Sequence, residues 1–117
     1  MIQKHKELLL IDLAARCPYG VILECCGLVG EELRTITKEG LINDDYDIEE
    51  VKPYLFPLSS MTEEQRKEFV TTFKYLPAEE IDVWTLDTYD WCNKNNFDYR
   101  GLIPMGLSKD ATNLNIY

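Results

Sequence analysis

The spacing of hydrophobic residues changes after the first proline of the chain. From Lys4 to Arg16 the spacing is helical, with Leu8, Ile11 and Ala15 on one face and Leu9, Leu10, Leu13 and Ala14 widening it. Such a broad apolar stripe predicts a helix packed against a substantial core. Cys17-Pro18 ends this helix, because the residue before a proline is driven out of helical conformation.

The next forty residues are patterned for strands. Val21 to Cys26 alternates between two faces, and glycines at 27 and 30 bracket a hairpin loop. The β-branched residues between Glu31 and Lys38 predict the returning strand. Leu41 with Ile42, and Ile48 to Val51, predict a third and a fourth short strand. Strands in series predict an antiparallel meander.

The segment from Glu49 to Glu64 joins the two halves of the chain. Pro53 and Pro57 lack a backbone donor, which favours an extended edge segment, and the apolar residues between them place it against the core. Thr62 and Gln65 then have the spacing of a capping box, with Ser60 and Glu63 as a second frame. A helix is therefore predicted to begin at Thr62.

The second half is patterned for two helices and a loop. The first helix carries Phe69, Val70, Phe73 and Leu76 on one side and ends at Pro77. The second begins at Glu79 or Asp82 and runs to Asn95, with Ile81, Trp84, Thr88, Trp91 and Cys92 on one face. Residues 93–96, Asn-Lys-Asn-Asn, suit a helix C-terminus because Asn tolerates the left-handed conformation. Loop and short helical turns are predicted for 97–117.

Together these patterns predict an α+β fold. It has an N-terminal helix, a small antiparallel β-meander of three or four short strands, and two C-terminal helices packed on one face. The chain of 117 residues is predicted to be a single domain, 1–117. Residues 1–58 would form the helix and sheet, and 59–117 the helical half and C-terminal loop.

Charge narrows the classes of partner. Twelve basic and 21 acidic residues give a net charge of −9, which disfavours direct nucleic-acid binding. The acidic run 44–50 is interpreted first as a solvated loop and alternatively as part of a DNA-like surface, since it lacks the ligand pattern of a calcium loop. No apolar run approaches the ~20 residues that span a bilayer. The chain is therefore predicted to be cytoplasmic, with no membrane contact.

Candidate catalytic and metal-binding groups are few. Cys17, Cys25, Cys26 and Cys92 form no CxxC pair and are predicted to be free thiols, and His5 is the one histidine. No metal site, cofactor or catalytic residue is predicted, since a Cys–His or Ser–His pair would depend on the N-terminus. Ser59 and Ser60 have an ordinary role at the helix entry. An enzyme is therefore disfavoured.

Three stretches carry a resemblance to a known group of proteins. They are the Pro-Tyr-Gly turn within 17–20, KPYLFPLSSMT from Lys52 to Thr62, and the tryptophan helix that runs into FDYRGLI, from Trp91 to Ile103. In these the chain resembles small uncharacterised proteins encoded in prophages and mobile elements of gut anaerobic bacteria. The resemblance spans most of the chain. It implies a genomic setting and supplies no mechanism.

Aromatic residues are concentrated near the C-terminal helix. Trp84, Tyr89, Trp91, Phe97 and Tyr99 precede Arg100, and aromatics with arginine are typical of interface hot spots. Packing is the alternative interpretation, above all for Trp84 and Trp91, which share a helical face. An ion pair between Asp98 and Arg100 would pin the loop. Tyr99, Arg100 and Tyr89 are the candidate protein-binding residues.

Two functions of different classes follow. The first is a non-catalytic protein-interaction or accessory module of a prophage or mobile element, which binds a protein partner or associates with itself. The alternative is an acidic DNA-mimic inhibitor of a host nucleic-acid-binding protein. A small enzyme of unidentified class ranks third.

Overall fold

The computed structural model describes residues 2–25, 28–32, 48–72 and 86–117. Its helices are α1 (Gln3–Arg16), α2 (Glu63–Thr71) and α3 (Leu86–Lys94), with a short 3-10 helix at Leu58–Ser60. Its strands are β1 (Ile22–Cys25), β2 (Leu28–Glu32), β3 (Val51–Pro57), β4 (Phe97–Asp98) and β5 (Lys109–Asp110). The predicted α+β class, with an N-terminal helix and two C-terminal helices, is confirmed.

Some predicted features lie outside the described residues. In the first half of the chain they are most of the predicted returning strand, the strand at Leu41 and Ile42, the acidic residues Asp44, Asp45 and Asp47, and the thiol of Cys26. In the second half they are the helical residues Phe73 and Leu76, and Trp84 with the other residues predicted to begin the last helix. Within the described part of the chain, no helix combines the length and apolar character needed to cross a bilayer.

The sheet is mixed, in the order β2-β1-β3-β4, with β5 also pairing with β3. β1 runs antiparallel to both β2 and β3 and lies between them. The predicted antiparallel meander is therefore wrong, because a meander would pair the strands in the order of the sequence and none of them parallel. β4 and β5 pair parallel with β3, at Phe56–Phe97 and at Tyr54–Lys109. These two strands have two residues each, too short to show an alternating pattern, so the prediction placed their residues in a loop.

β3 is the strand on which the sheet is assembled, and not the edge that its prolines predicted. Pro53 lies opposite Leu23 of β1, and its carbonyl accepts a hydrogen bond from Ser108 Oγ at 2.7 Å. Further along β3, Ala111 N donates to Leu55 O at 2.8 Å. The prolines are accommodated because they remove donors only, and the carbonyls of β3 continue to pair.

The capping box at the start of α2 is confirmed. Thr62 Oγ1 accepts from Gln65 N at 3.1 Å, and Gln65 Oε1 accepts from Thr62 N at 2.9 Å. The apolar face of α2 is narrower than predicted, because Val70 is exposed while Phe69 packs against Trp91, with ring centroids 5.4 Å apart.

Two hydrophobic clusters form the core of the described residues. The first joins α1 to β1, β3 and the C-terminal loop through Leu9, Leu13, Val21, Leu23, Val51, Leu55, Leu102 and Leu107. The second contains Trp91, Cys92 and Phe97, with Phe56 and Phe69 packed against it. Leu55 and Phe56 are neighbours on β3 and point to opposite faces, so each joins a different cluster.

The buried face of α1 overlaps the predicted apolar stripe at Leu9 and Leu13 and differs from it elsewhere. The bounds of the helix agree with the prediction within one residue, but the buried residues are Leu9, Asp12, Leu13 and Arg16. Ile11, predicted to face the core, is exposed. The buried face therefore contains a carboxylate and a guanidinium that apolar periodicity alone assigned to solvent.

Candidate functional site

An ion pair lies inside the protein on α1. Asp12 and Arg16 are one helical turn apart and both side chains are 0% exposed. Arg16 Nε donates to Asp12 Oδ2 at 2.8 Å, and Arg16 Nη2 donates to Asp12 Oδ1 at 3.1 Å. A two-point contact of this kind satisfies both charges in one fixed geometry.

The same guanidinium ties α1 to the C-terminal part of the chain. Arg16 Nη2 donates to Phe97 O at 2.7 Å, and Nη1 donates to Cys92 O at 3.3 Å. Both carbonyls lie where α3 ends and β4 begins. This turn is set locally by Asn96, which adopts the left-handed conformation with φ 59° and confirms the predicted helix end near 93–96.

A second arginine shares the buried carboxylate. Arg100 Nε donates to Asp12 Oδ1 at 3.1 Å, and its side chain is 23% exposed. The guanidinium carbon of Arg100 lies 4.8 Å from the centroid of the Tyr99 ring, and that of Arg16 lies 5.5 Å from it. Two cations therefore pack about one carboxylate and one aromatic ring.

A chain of hydrogen bonds runs from Arg100 to α3. Arg100 Nη2 donates to Tyr99 Oη at 3.0 Å, and Tyr99 Oη donates to Asn93 Oδ1 at 2.9 Å. An arginine has donors only, so the direction of the chain is determined. The amide oxygen of Asn93 therefore faces Tyr99, and its Nδ2 takes no part in this chain of hydrogen bonds.

These residues form one wall of a surface cleft. The cleft has a volume of about 460 Å³ and is lined by Ala15, Leu86, Tyr89, Asn93, Tyr99 and Arg100. The rings of Tyr89 and Tyr99 meet at a centroid distance of 5.2 Å and a tilt of 59°. Leu86 is 83% exposed and Tyr89 is 40% exposed. We call this feature the Tyr89–Arg100 cleft.

The loop that presents Arg100 is held by Asp98, in a way that differs from the prediction. The predicted ion pair between Asp98 and Arg100 is wrong, since Asp98 accepts from the backbone N–H groups of Leu102 and Ile103, both at 2.9 Å. Gly101, which directly precedes Leu102, has φ +76°, a conformation that favours glycine. Asp98 closes the loop on itself and leaves Arg100 to pair with Asp12.

All three predicted binding residues line the same cleft. Tyr89 is exposed, whereas Tyr99 and Arg100 are half-buried, where Asn93 and Asp12 hold them by hydrogen bonds. Trp91 packs into the second cluster, as the packing interpretation predicted. Prediction missed Asp12, Arg16 and Asn93. The sequence did contain a signal for the first two, because Asp12 and Arg16 are four residues apart on α1, the spacing of a helical ion pair.

Nucleophilic chemistry has little support among the described residues. Burial raises the pKa of the Cys92 thiol to about 12, so it is protonated at neutral pH. Ser60 Oγ donates to Pro57 O at 2.7 Å, the helix-entry role expected of it. No three His, Cys, Asp or Glu side chains within the described ranges lie close enough together to hold a metal ion.

Two other depressions are less suited to binding. One, of about 350 Å³, is lined by Glu63, Arg66, Lys67 and Val70, which all belong to α2, so no second element contributes groups to it. The other, of about 220 Å³, is lined by uncharged residues beside Phe56 and Phe97. Of these three depressions, the Tyr89–Arg100 cleft is the one that combines a guanidinium, aromatic rings and side chains from separate elements.

Comparison with known proteins adds no relative. No family model matches the chain, and neither a curated protein nor a solved structure matches it. The site must therefore be interpreted from its own geometry.

Proposed function

We propose that this protein is a non-catalytic interaction module of a prophage or mobile element, and that the Tyr89–Arg100 cleft is its contact surface for a protein partner. The observation that carries the proposal is the meeting of three residues of hot-spot type, Tyr89, Tyr99 and Arg100, in one cleft. Leu86 and Tyr89 expose apolar surface beside Tyr99 and Arg100, which the buried network already holds in place.

Such an arrangement favours binding because the side chains are ordered beforehand. Immobilising a side chain with many rotamers at an interface costs about 0.5–1.5 kcal/mol. Arg100 is fixed by Asp12 and Tyr99, and Tyr99 is fixed by Asn93, so most of that cost is met during folding. Interface hot spots are enriched in tyrosine and arginine for related reasons.

Site-specific photo-crosslinking tests the proposal. Tyr89 is replaced by p-benzoylphenylalanine in cells that carry the mobile element, and Tyr19 is replaced in the same way as the control. The two residues are matched, at 40% and 38% exposure, but Tyr19 lies at the turn after α1, and the cleft is lined by other residues.

We expect a discrete adduct from position 89 and none from position 19. An adduct of twice the chain's mass would identify self-association as the contact, and light scattering would then show a dimer. Equal, diffuse labelling from both positions, together with a strict monomer, would contradict the proposal.

A further inference from the structure

We propose that the Tyr89–Arg100 cleft recognises a carboxylate group that stands next to an apolar side chain of the partner. This inference rests on the interaction function proposed above and names the chemistry of that contact. It is carried by the charge balance of the cleft wall and by two donor groups left over from the internal network.

The charge balance is positive where the rest of the chain is acidic. Arg16 and Arg100 share the single carboxylate of Asp12, which leaves one positive charge in excess among these three groups. The whole chain has a net charge of −9. The acidic residues of α3, Asp87 and Asp90, are exposed and are not among the residues that line the cleft.

Two donors remain beside this charge. Arg100 uses Nε for Asp12 and Nη2 for Tyr99, and its Nη1 makes no hydrogen bond with the described residues. Asn93 is 4% exposed, lines the cleft and gives its Oδ1 to Tyr99. Its Nδ2 also makes no hydrogen bond with the described residues. Among the described residues, the fully buried side-chain atom that lacks a partner is Asn96 Oδ1 and not Asn93 Nδ2, so the Asn93 donor has access to solvent.

The charge of the cleft wall favours a carboxylate over a phosphate. One excess positive charge balances a monoanion, whereas a phosphate at neutral pH carries nearly two negative charges, as a phosphorylated side chain does. Arg100 Nη1 is then the donor of a charge-assisted hydrogen bond to a carboxylate oxygen, and Asn93 Nδ2 is a second donor. The apolar wall of Ala15, Leu86 and Tyr89 adds a surface for an adjacent hydrocarbon side chain, and about 460 Å³ accommodates a small group of that kind.

The carboxylate has two possible sources in a protein, a C-terminus or an acidic side chain. N-acetyl-leucine represents the first, and N-acetyl-leucyl-glutamic acid α-amide, whose γ-carboxylate is free, represents the second. N-acetyl-leucinamide is the neutral control, and inorganic phosphate is the competing anion. Each is titrated into the full chain at neutral pH, and the NMR signals of Asn93 Nδ2–H₂ and Arg100 Nε–H are followed.

We expect both signals to shift with the carboxylate probes and the affinity to exceed that for the neutral amide by about tenfold or more, as for a charge-assisted hydrogen bond. The tighter of the two carboxylate probes assigns the source. Equal binding of the neutral amide would overturn the proposal, and so would tighter binding of phosphate than of either carboxylate.

The matched variants are Asn93→Asp and Asn115→Asp. The first keeps an acceptor for Tyr99, removes the Nδ2 donor and cancels the excess charge, and the second adds the same charge in the exposed C-terminal tail. We expect about a tenfold or greater loss of carboxylate binding in Asn93→Asp and no change in Asn115→Asp. If Asn93→Asp does not fold, Arg100→Gln replaces it, with the same loss expected. Unchanged binding in a folded cleft variant would overturn the inference.

The two proposals fail separately. A partner adduct from position 89 that the carboxylate probes do not compete away would keep the interaction function and reject the carboxylate contact. Carboxylate binding in the cleft without any adduct would keep the carboxylate contact and reject the interaction with a protein partner.

Discussion

Arg16 Nη2 donates a 2.7 Å hydrogen bond to Phe97 O and so joins the first helix to a strand 81 residues later in the sequence. We expect Arg16→Met to destabilise the fold by about 3–5 kcal/mol, because it breaks a buried ion pair and leaves two buried carbonyls without a donor. Urea unfolding measures the change. Lys4→Met, which removes an exposed cation from the same helix, should stay within about 0.5 kcal/mol of the wild type. Similar losses in both variants would contradict the structural role of Arg16.

A double-mutant cycle isolates the Asp12–Arg16 interaction. We expect Asp12→Leu combined with Arg16→Met to be less destabilising than the sum of the two single changes, by about 1–3 kcal/mol. Each single change leaves a buried charge with less compensation, and the double change removes both charges of the pair. Arg100 tolerates the loss of Asp12 because it reaches solvent. Additive changes in unfolding free energy would show that the pair is not coupled.

The start of α2 offers a local test. Thr62→Ala removes the acceptor for Gln65 N and should cost about 1 kcal/mol of unfolding free energy. Thr71→Ala is the matched control on the same helix, since its hydroxyl bonds only to the carbonyl of Glu68 within the exposed last turn. We expect that control to be close to neutral, because alanine has the higher helix propensity. A reversed order of the two variants would contradict the capping box.

The buried thiol of Cys92 predicts a loss of stability at high pH. Its pKa is raised from 9.0 to about 12 by burial, so between these values the unfolded chain releases a proton that the folded chain retains. The unfolded state then binds fewer protons, and the unfolding free energy falls as pH rises through this window. Below pH 9 the thiol contributes no slope. We expect Cys92→Ala to show a shallower decline than the wild type between pH 9 and 12, and equal slopes would contradict it.

Local signals in the sequence were enough for much of the fold. The proline after Cys17, the capping box of Thr62 and Gln65, and the asparagines at 93–96 each act on nearby backbone, so α1, the start of α2 and the end of α3 were predictable. The pairing of β3 was not. Its parallel partners are two residues long and lie forty or more residues away in the chain, so neither periodicity nor turn chemistry indicates them.

The candidate site was predictable in its residue types and not in its arrangement. Tyr89, Tyr99 and Arg100 were found because they are close in sequence and typical of interfaces. Asp12 lies 88 residues from Arg100, its second arginine partner, and only the packing of α1 against the C-terminal loop brings these two residues together. A charged residue on an amphipathic helix is ordinarily assigned to solvent, which is why its burial was missed.

The central claim is that a protein partner contacts Arg100 in the Tyr89–Arg100 cleft. The most direct measurement is the yield of the partner adduct from p-benzoylphenylalanine at position 89, compared between Arg100→Gln and Arg66→Gln backgrounds. Both changes remove one arginine, and Arg66 is exposed on α2, outside the cleft. We predict a yield reduced by about tenfold in Arg100→Gln and unchanged in Arg66→Gln. Equal yields in the two backgrounds would contradict the claim.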